Sequence, residues 1–271
     1  MFMNILEQYI QGKKGNPAEC EDGLVVRDTL IAAVDGATAK GTKTFDGMAS
    51  GAFARAILCN TLSQPEIEKF SAQELFSLLS QRLDEETKKH YSELEFHERP
   101  RISAVIYNDL YKEVWSYGDC QCIINGELYN HEKSIDVLFS ETRAFYIEHA
   151  LLSGHTIEDL LQNDIARKMI LENLPKQFDF ENKNIPFGYS VINGFPINPD
   201  MIVRHKVKDG DEIVLASDGY PLLKGTLKES EEHLEYVLKN DPLCFRIYKT
   251  TKGISKGNLS FDDRCYCRFT V

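Results

Sequence analysis

Long apolar runs are missing from this sequence. No stretch approaches the ~18 residues that span a bilayer, so no membrane span is expected. Met1 to Ile10 has no basic segment followed by an apolar core and a small-residue cleavage site, so no secretory signal is expected. Positive charge is in deficit. Lysine and arginine number 31 against 42 aspartates and glutamates, a formal net charge of −11. That balance argues against a nucleic-acid partner or an anionic membrane surface. The seven histidines stand in no spacing that demands a metal ligand or a base. There is no Ser-His-Asp order, no nucleophile elbow and no phosphate-cradling glycine loop. No repeat, low-complexity tract or linker divides the chain, so residues 1–271 are read as one domain.

Seven cysteines, an odd number scattered through strand-like runs, point to reduced thiols in a cytoplasmic protein. Cys120 and Cys122, like Cys265 and Cys267, are separated by one residue, which puts each pair on one face of a strand. Small core residues are the better reading than zinc ligands, which are usually spaced by about two to four residues in turns.

What the chain does have is carboxylates at the ends of apolar runs. Leu30 to Val34 ends in Asp35-Gly36, and Glu212 to Ala216 ends in Ser217-Asp218-Gly219. Asp262-Asp263 precedes a final strand-like run, Cys265 to Val271, and Glu21-Asp22 precedes Leu24 to Val26. Each run reads as a strand that delivers an acid at its tip. Several such acids, with no cluster of His or Cys, suit hard cations with oxygen ligands.

The periodicities give the rest of the element order. Ile5 to Ile10 reads as an edge strand. Helical spacing begins at Met48, with Ala49, Ala52, Phe53, Ala56 and Ile57 on one face. A second helix is expected from about Ala72 to Phe96. A meander follows: Ile102–Tyr107, Lys112–Tyr117, Gln121–Ile124 and Glu127–Asn130, with Asn125-Gly126 as its clearest hairpin turn. Helices are expected at Ser140–Leu152 and Ile157–Leu174, then a long loop over 176–200 around a strand near Tyr189 to Ile192. Strands at Met201–Val207 and Glu212–Ala216 and a helix at Ser230–Leu238 complete the order before the last strand.

The ordered set Glu21-Asp22, Val34-Asp35-Gly36, Met48-Ala49-Ser50, Tyr117-Gly118-Asp119-Cys120, Ala216-Ser217-Asp218-Gly219 and Asp262-Asp263-Arg264 resembles the metal-dependent protein phosphatases, the PPM or type 2C Ser/Thr family. It spans residues 20 to 268. The resemblance implies an α+β fold, a four-layer α-β-β-α sandwich of two mostly antiparallel sheets flanked by helices. It implies a phosphoserine or phosphothreonine phosphatase in which two Mg²⁺ or Mn²⁺ ions activate a water. By resemblance Asp35 bridges both metals and Gly36 offers its carbonyl to one. Asp218 and Asp262 bind the other, and Glu21 and Asp22 act directly or through waters. Asp119, with Asp218, matches a position for a third, weaker ion. Asp263 falls where the family often has Asn, so Asp262 is the better ligand.

Two positions depart from the family pattern. Ala37 stands where many members have a His that serves as acid, and Pro17 where they have a phosphate-binding Arg. Lys13 and Lys14 are the nearby cations for a phosphate, though each is a point charge without the Arg fork. The departures keep two other readings open: a phosphatase-fold regulator that binds a protein partner, and a hydrolase of small phosphate esters. The expected partner is a phosphoprotein substrate or a kinase, and the expected state a monomer.

Overall fold

A computed structural model of the chain describes residues 3–271. In chain order the elements are strands β1 (Asn4–Gln11), β2 (Asp22–Val26) and β3 (Leu30–Ala37), helices α1 (Ser50–Leu62) and α2 (Ala72–His90), and strands β4 (Arg101–Asn108), β5 (Glu113–Tyr117), β6 (Gln121–Ile124) and β7 (Glu127–Tyr129). Helices α3 (Ser134–Leu152), α4 (Ile157–Gln162) and α5 (Ile165–Leu171) come next. Strands β8 (Val203–Lys206) and β9 (Glu212–Ala216), helix α6 (Leu227–Asn240) and strand β10 (Arg264–Thr270) follow.

The strands form two antiparallel five-stranded sheets, one ordered β1-β10-β9-β6-β7 and the other β2-β3-β4-β5-β8. The α+β class read from the sequence is the class observed. β1 alternates exposed and half-buried residues, as an edge strand with one wet face must. β4 is buried at every position, because one of its faces meets the opposing sheet and the other meets helices. In β3 the alternation sorts its side chains. Ile31 and Ala33 face the other sheet, where they meet Cys120, Cys122, Leu215, Cys265 and Cys267. Leu30, Ala32 and Val34 face α1 and α2, where Leu58, Leu62, Leu75 and Leu79 cover them. The four closely spaced cysteines are therefore small core residues between the sheets, and all seven thiols are unpaired.

The helical layers are uneven. α1 and α2 cover the β2–β8 sheet. The other sheet is covered by α6, whose Leu227 packs with Tyr9 against Val214, Ala216 and Tyr266. Helices α3 to α5 instead build a side cluster with Leu243 and Phe245.

Several boundaries differ from the sequence reading for local reasons. The helix expected to Phe96 ends at His90, with Tyr91 already extended. The single helix expected over 157–174 is broken at Asn163-Asp164. The Asp164 side chain accepts from Arg167 N at 2.8 Å and so starts α5, an aspartate doing at a helix cap what it does poorly inside a helix. α3 starts at Ser134, six residues early, and α6 at Leu227, where Thr226 caps it. The strand expected near Tyr189 reduces to isolated bridges, Ile102 to Ile192 and Glu181 to Tyr189. Asn125 and Gly126 both have positive φ, as their two-residue hairpin turn requires.

Leu215 is fully buried at the centre of the inter-sheet core. Leu215→Ala is expected to cost about 2–5 kcal/mol, read from urea unfolding. A loss below ~1 kcal/mol would contradict the tight packing described between the sheets.

Candidate metal centre

Strand register assembles the site. Across β2, β3 and β4 the residues Asp22, Asp35 and Ser103 are direct neighbours. In the opposing sheet Gln121 of β6 pairs with Ala216 of β9. Asp119, two residues before Gln121, and Asp218, two residues after Ala216, therefore leave the sheet on the same side. Carboxylate oxygens of Asp35, Asp119 and Asp218 all lie within 4.8 Å of one another.

They form the floor of a cleft of about 470 Å³ that is also lined by Lys13, Glu21, Gly36, Lys133, Lys252 and Asp262.

Glycine lets the backbones come this close. A Cβ on Gly36 would sit 2.7 Å from the Glu21 carbonyl oxygen and collide with the carbonyl of Gly51 in α1. The helix thus butts directly against the end of β3, which explains the small residues at its start. A Cβ on Gly219 would collide with the Asp263 carbonyl in the same way.

The acids fall into two groups. Asp22, Asp35 and Asp218 are pushed well above the usual carboxylate range, first by burial and then by neighbouring carboxylates. Asp35 and Asp218 are partly exposed at the cleft; Asp22 is closed off, and its Oδ2 has no hydrogen-bond partner. Asp119 and Asp262 are already compensated. Burial opposes ionisation of Asp119, but Lys133 and Ser103 outweigh it and hold its carboxyl below the usual range. Asp262 is likewise lowered to about 2, burial being outweighed by Lys252 at 2.6 Å and Lys13 at 3.1 Å.

Glu21 lies at the cleft wall, accepting from Thr38 Oγ1 at 2.7 Å and from Lys13 Nζ at 3.3 Å. Asp263 turns inward and accepts from the backbone N–H groups of Lys13 (2.7 Å) and Glu21 (3.2 Å), tying the start of β10 to the entry of β2. Of the two lysines named from the sequence, Lys13 is in the cleft wall, paired with Glu21, Asp262 and Asp263. Lys14 pairs with Glu19 at the surface and does not line the cleft.

Oxygen donors alone, an orphaned buried carboxylate oxygen and acids resisting ionisation are what a divalent-cation site offers before it binds.

The sequence reading missed Ser103, Thr38, Lys133, Lys252 and Arg167, all of which line the cleft. Ser103 was recoverable by setting β4 in register with β3. Lys133 and Lys252 are single lysines in polar loops, and nothing in their spacing marks them.

No protein-family model and no curated protein matches the sequence. Solved structures do. The serine/threonine phosphatase PstP/Ppp of Mycobacterium tuberculosis superposes with a TM-score of 0.51 at 14% identity, over 100% of this chain and 99% of its own. The serine/threonine phosphatase Stp1 of Staphylococcus aureus gives 0.50 at 12%, over 98% and 94%. The chain carries their fold. The resemblance to the phosphatase family holds at the level of architecture and over nearly the whole of both chains.

A carboxyl whose folded-state pKa is raised costs stability above its unfolded value, and the cost is complete once pH exceeds the folded pKa. Asp35→Asn is therefore expected to raise the melting temperature of chelator-treated protein at pH 8 and to leave it nearly unchanged at pH 4. A lower melting temperature at pH 8 would show that the Asp35 carboxylate is stabilised by contacts not described above.

Proposed function

We propose that this chain is a Mg²⁺- or Mn²⁺-dependent phosphatase acting on phosphoserine or phosphothreonine in proteins. The observation that carries this reading is the meeting of Asp35, Asp119 and Asp218 on a cleft floor, delivered by strand ends of both sheets. Asp35 and Asp218 would hold the ions, with the Gly36 carbonyl, Asp262, Glu21 and Asp22 around them. When bound, such ions supply Lewis-acid activation of water and neutralise charge at phosphorus.

The chain's own residues supply the surroundings. Lys13 and Lys252 hold Asp262 in the cleft wall. Lys40 and Arg167 line the cleft beside Lys252, cations that would attract a phosphate dianion. Arg167, which also donates to the Thr251 carbonyl, would supply the guanidinium that Pro17 does not. Ala37 offers no proton, so the departing alkoxide would take its proton from water in the cleft.

Two features support other readings. The absent Arg and His favour a regulator that binds a phosphoprotein or kinase without turnover. The cleft volume lies in the range of small-molecule sites, which favours small phosphate esters. Among the described residues no helix is long and apolar enough to cross a membrane. A monomer working in the cytoplasm remains part of the proposal.

The test is hydrolysis of para-nitrophenyl phosphate with Mn²⁺, with Mg²⁺ and with chelator. Turnover is expected with either metal, none with chelator, and a loss of at least ~100-fold in Asp35→Asn and Asp218→Asn. Folded protein that binds a phosphopeptide but never turns it over would replace this reading with the regulator. Turnover of small esters but not phosphopeptides would replace it with the third.

A further inference from the structure

Lys133 is the N-cap residue of α3 and reaches back into the acidic floor. Its Nζ lies 2.5 Å from Asp119 Oδ2 and 3.9 Å from Asp136 Oδ2. The Tyr189 ring stands 5.2 Å from Nζ, and the side chain is only 16% exposed. The other oxygen of Asp119, Oδ1, accepts from Ser103 Oγ at 2.5 Å. Ser103 is itself locked in place, being the β4 neighbour of Asp35 and lying under Gly118. Both oxygens of Asp119 are thus occupied by groups of the chain.

The other two carboxylates of the cluster differ. Asp35 and Asp218 lie within reach of Asp119, but no hydrogen bond from the chain is among the main influences on either. Lys133 also eases the charge on Asp35 and Asp218 from a distance, without overcoming burial and the neighbouring acids, but it ion-pairs directly with Asp119 alone, so two acids are left for exchangeable cations.

We propose that the Lys133 ammonium is a resident cation that occupies Asp119 and limits this centre to two divalent ions, held at Asp35 and Asp218. The proposal rests on the reading of the cluster as a divalent-cation site. A divalent ion at Asp119 would have to displace an ammonium with little access to water, leaving it near two carboxylate-bound cations with only Asp136 as counter-charge. Like charges brought together in a poorly solvated cleft oppose that exchange. Lys has three donors and no acceptor, so it stays a point charge and cannot itself become a ligand.

The experiment is the number of Mn²⁺ ions bound per full-length chain near neutral pH, from the loss of the free-ion electron paramagnetic resonance signal and from calorimetry. The wild type is expected to bind two ions, Lys133→Arg two and Lys133→Met three. Asp119→Asn is expected to keep two, because Asp119 holds Lys133 and no exchangeable ion. That variant, and the neutral pair Lys133→Met with Asp119→Asn (also two), carry the test if Lys133→Met alone does not fold. Three ions on the wild type, two on folded Lys133→Met, or a fall to one in Asp119→Asn overturns the proposal and leaves the metal centre standing. No binding by the wild type overturns the metal centre and this proposal with it.

Discussion

Carboxylates crowded on one cleft floor repel one another, and much of the structure serves to hold them there. Asp35, Asp119 and Asp218 have oxygens within 4.8 Å of one another, and Asp22 lies sealed beneath with one oxygen unpartnered. An arrangement of this kind is unfavourable by itself and persists only because the surrounding structure over-determines it. The two sheets do that. β3 is the second strand of one sheet and β9 the central strand of the other, and their inner faces share a dry core of Ile31, Ala33, Leu215 and Cys267. The burial that fixes these strands also fixes where their acidic tips emerge.

Neutralisation is distributed unevenly around that floor. Lys133 takes Asp119, Lys13 and Lys252 take Asp262, and Asp263 is absorbed by backbone N–H groups. Asp35 and Asp218 keep their charge problem unresolved by the chain. That division separates acids paired within the chain from Asp35 and Asp218, which no ion pair of the chain reaches.

A second network frames the far side of the cleft. The buried Arg101 pairs with Glu181, which also accepts from Tyr189 and Asn193, while Phe178 lies 3.8 Å from the Arg101 guanidinium centre. This fastens the irregular segment after α5 onto β4 without a strand. A buried, fully hydrogen-bonded pair of this sort gives the loop one position rather than many.

The sequence by itself determined most of the element types and their order; the two-sheet sandwich came from the family resemblance. Element types are local matters. Alternation along a strand, a glycine after an aspartate and an Asn-Gly turn are written within a few residues, and Asp35 and Asp218 stand at the ends of apolar runs, whereas Asp119 was singled out only by the family resemblance. It also placed the cysteine pairs in the core. It did not determine the break at Asp164, because a single capping aspartate was passed over inside the helix expected over 157–174. Nor could it tell Asp262 from Asp263 by orientation, or find Lys133, 98 positions from Asp35 in the chain. Only the tertiary structure decided which cation meets which acid. Ion pairing between loops depends on the folded path of the chain through space, and no period or spacing along the sequence records it.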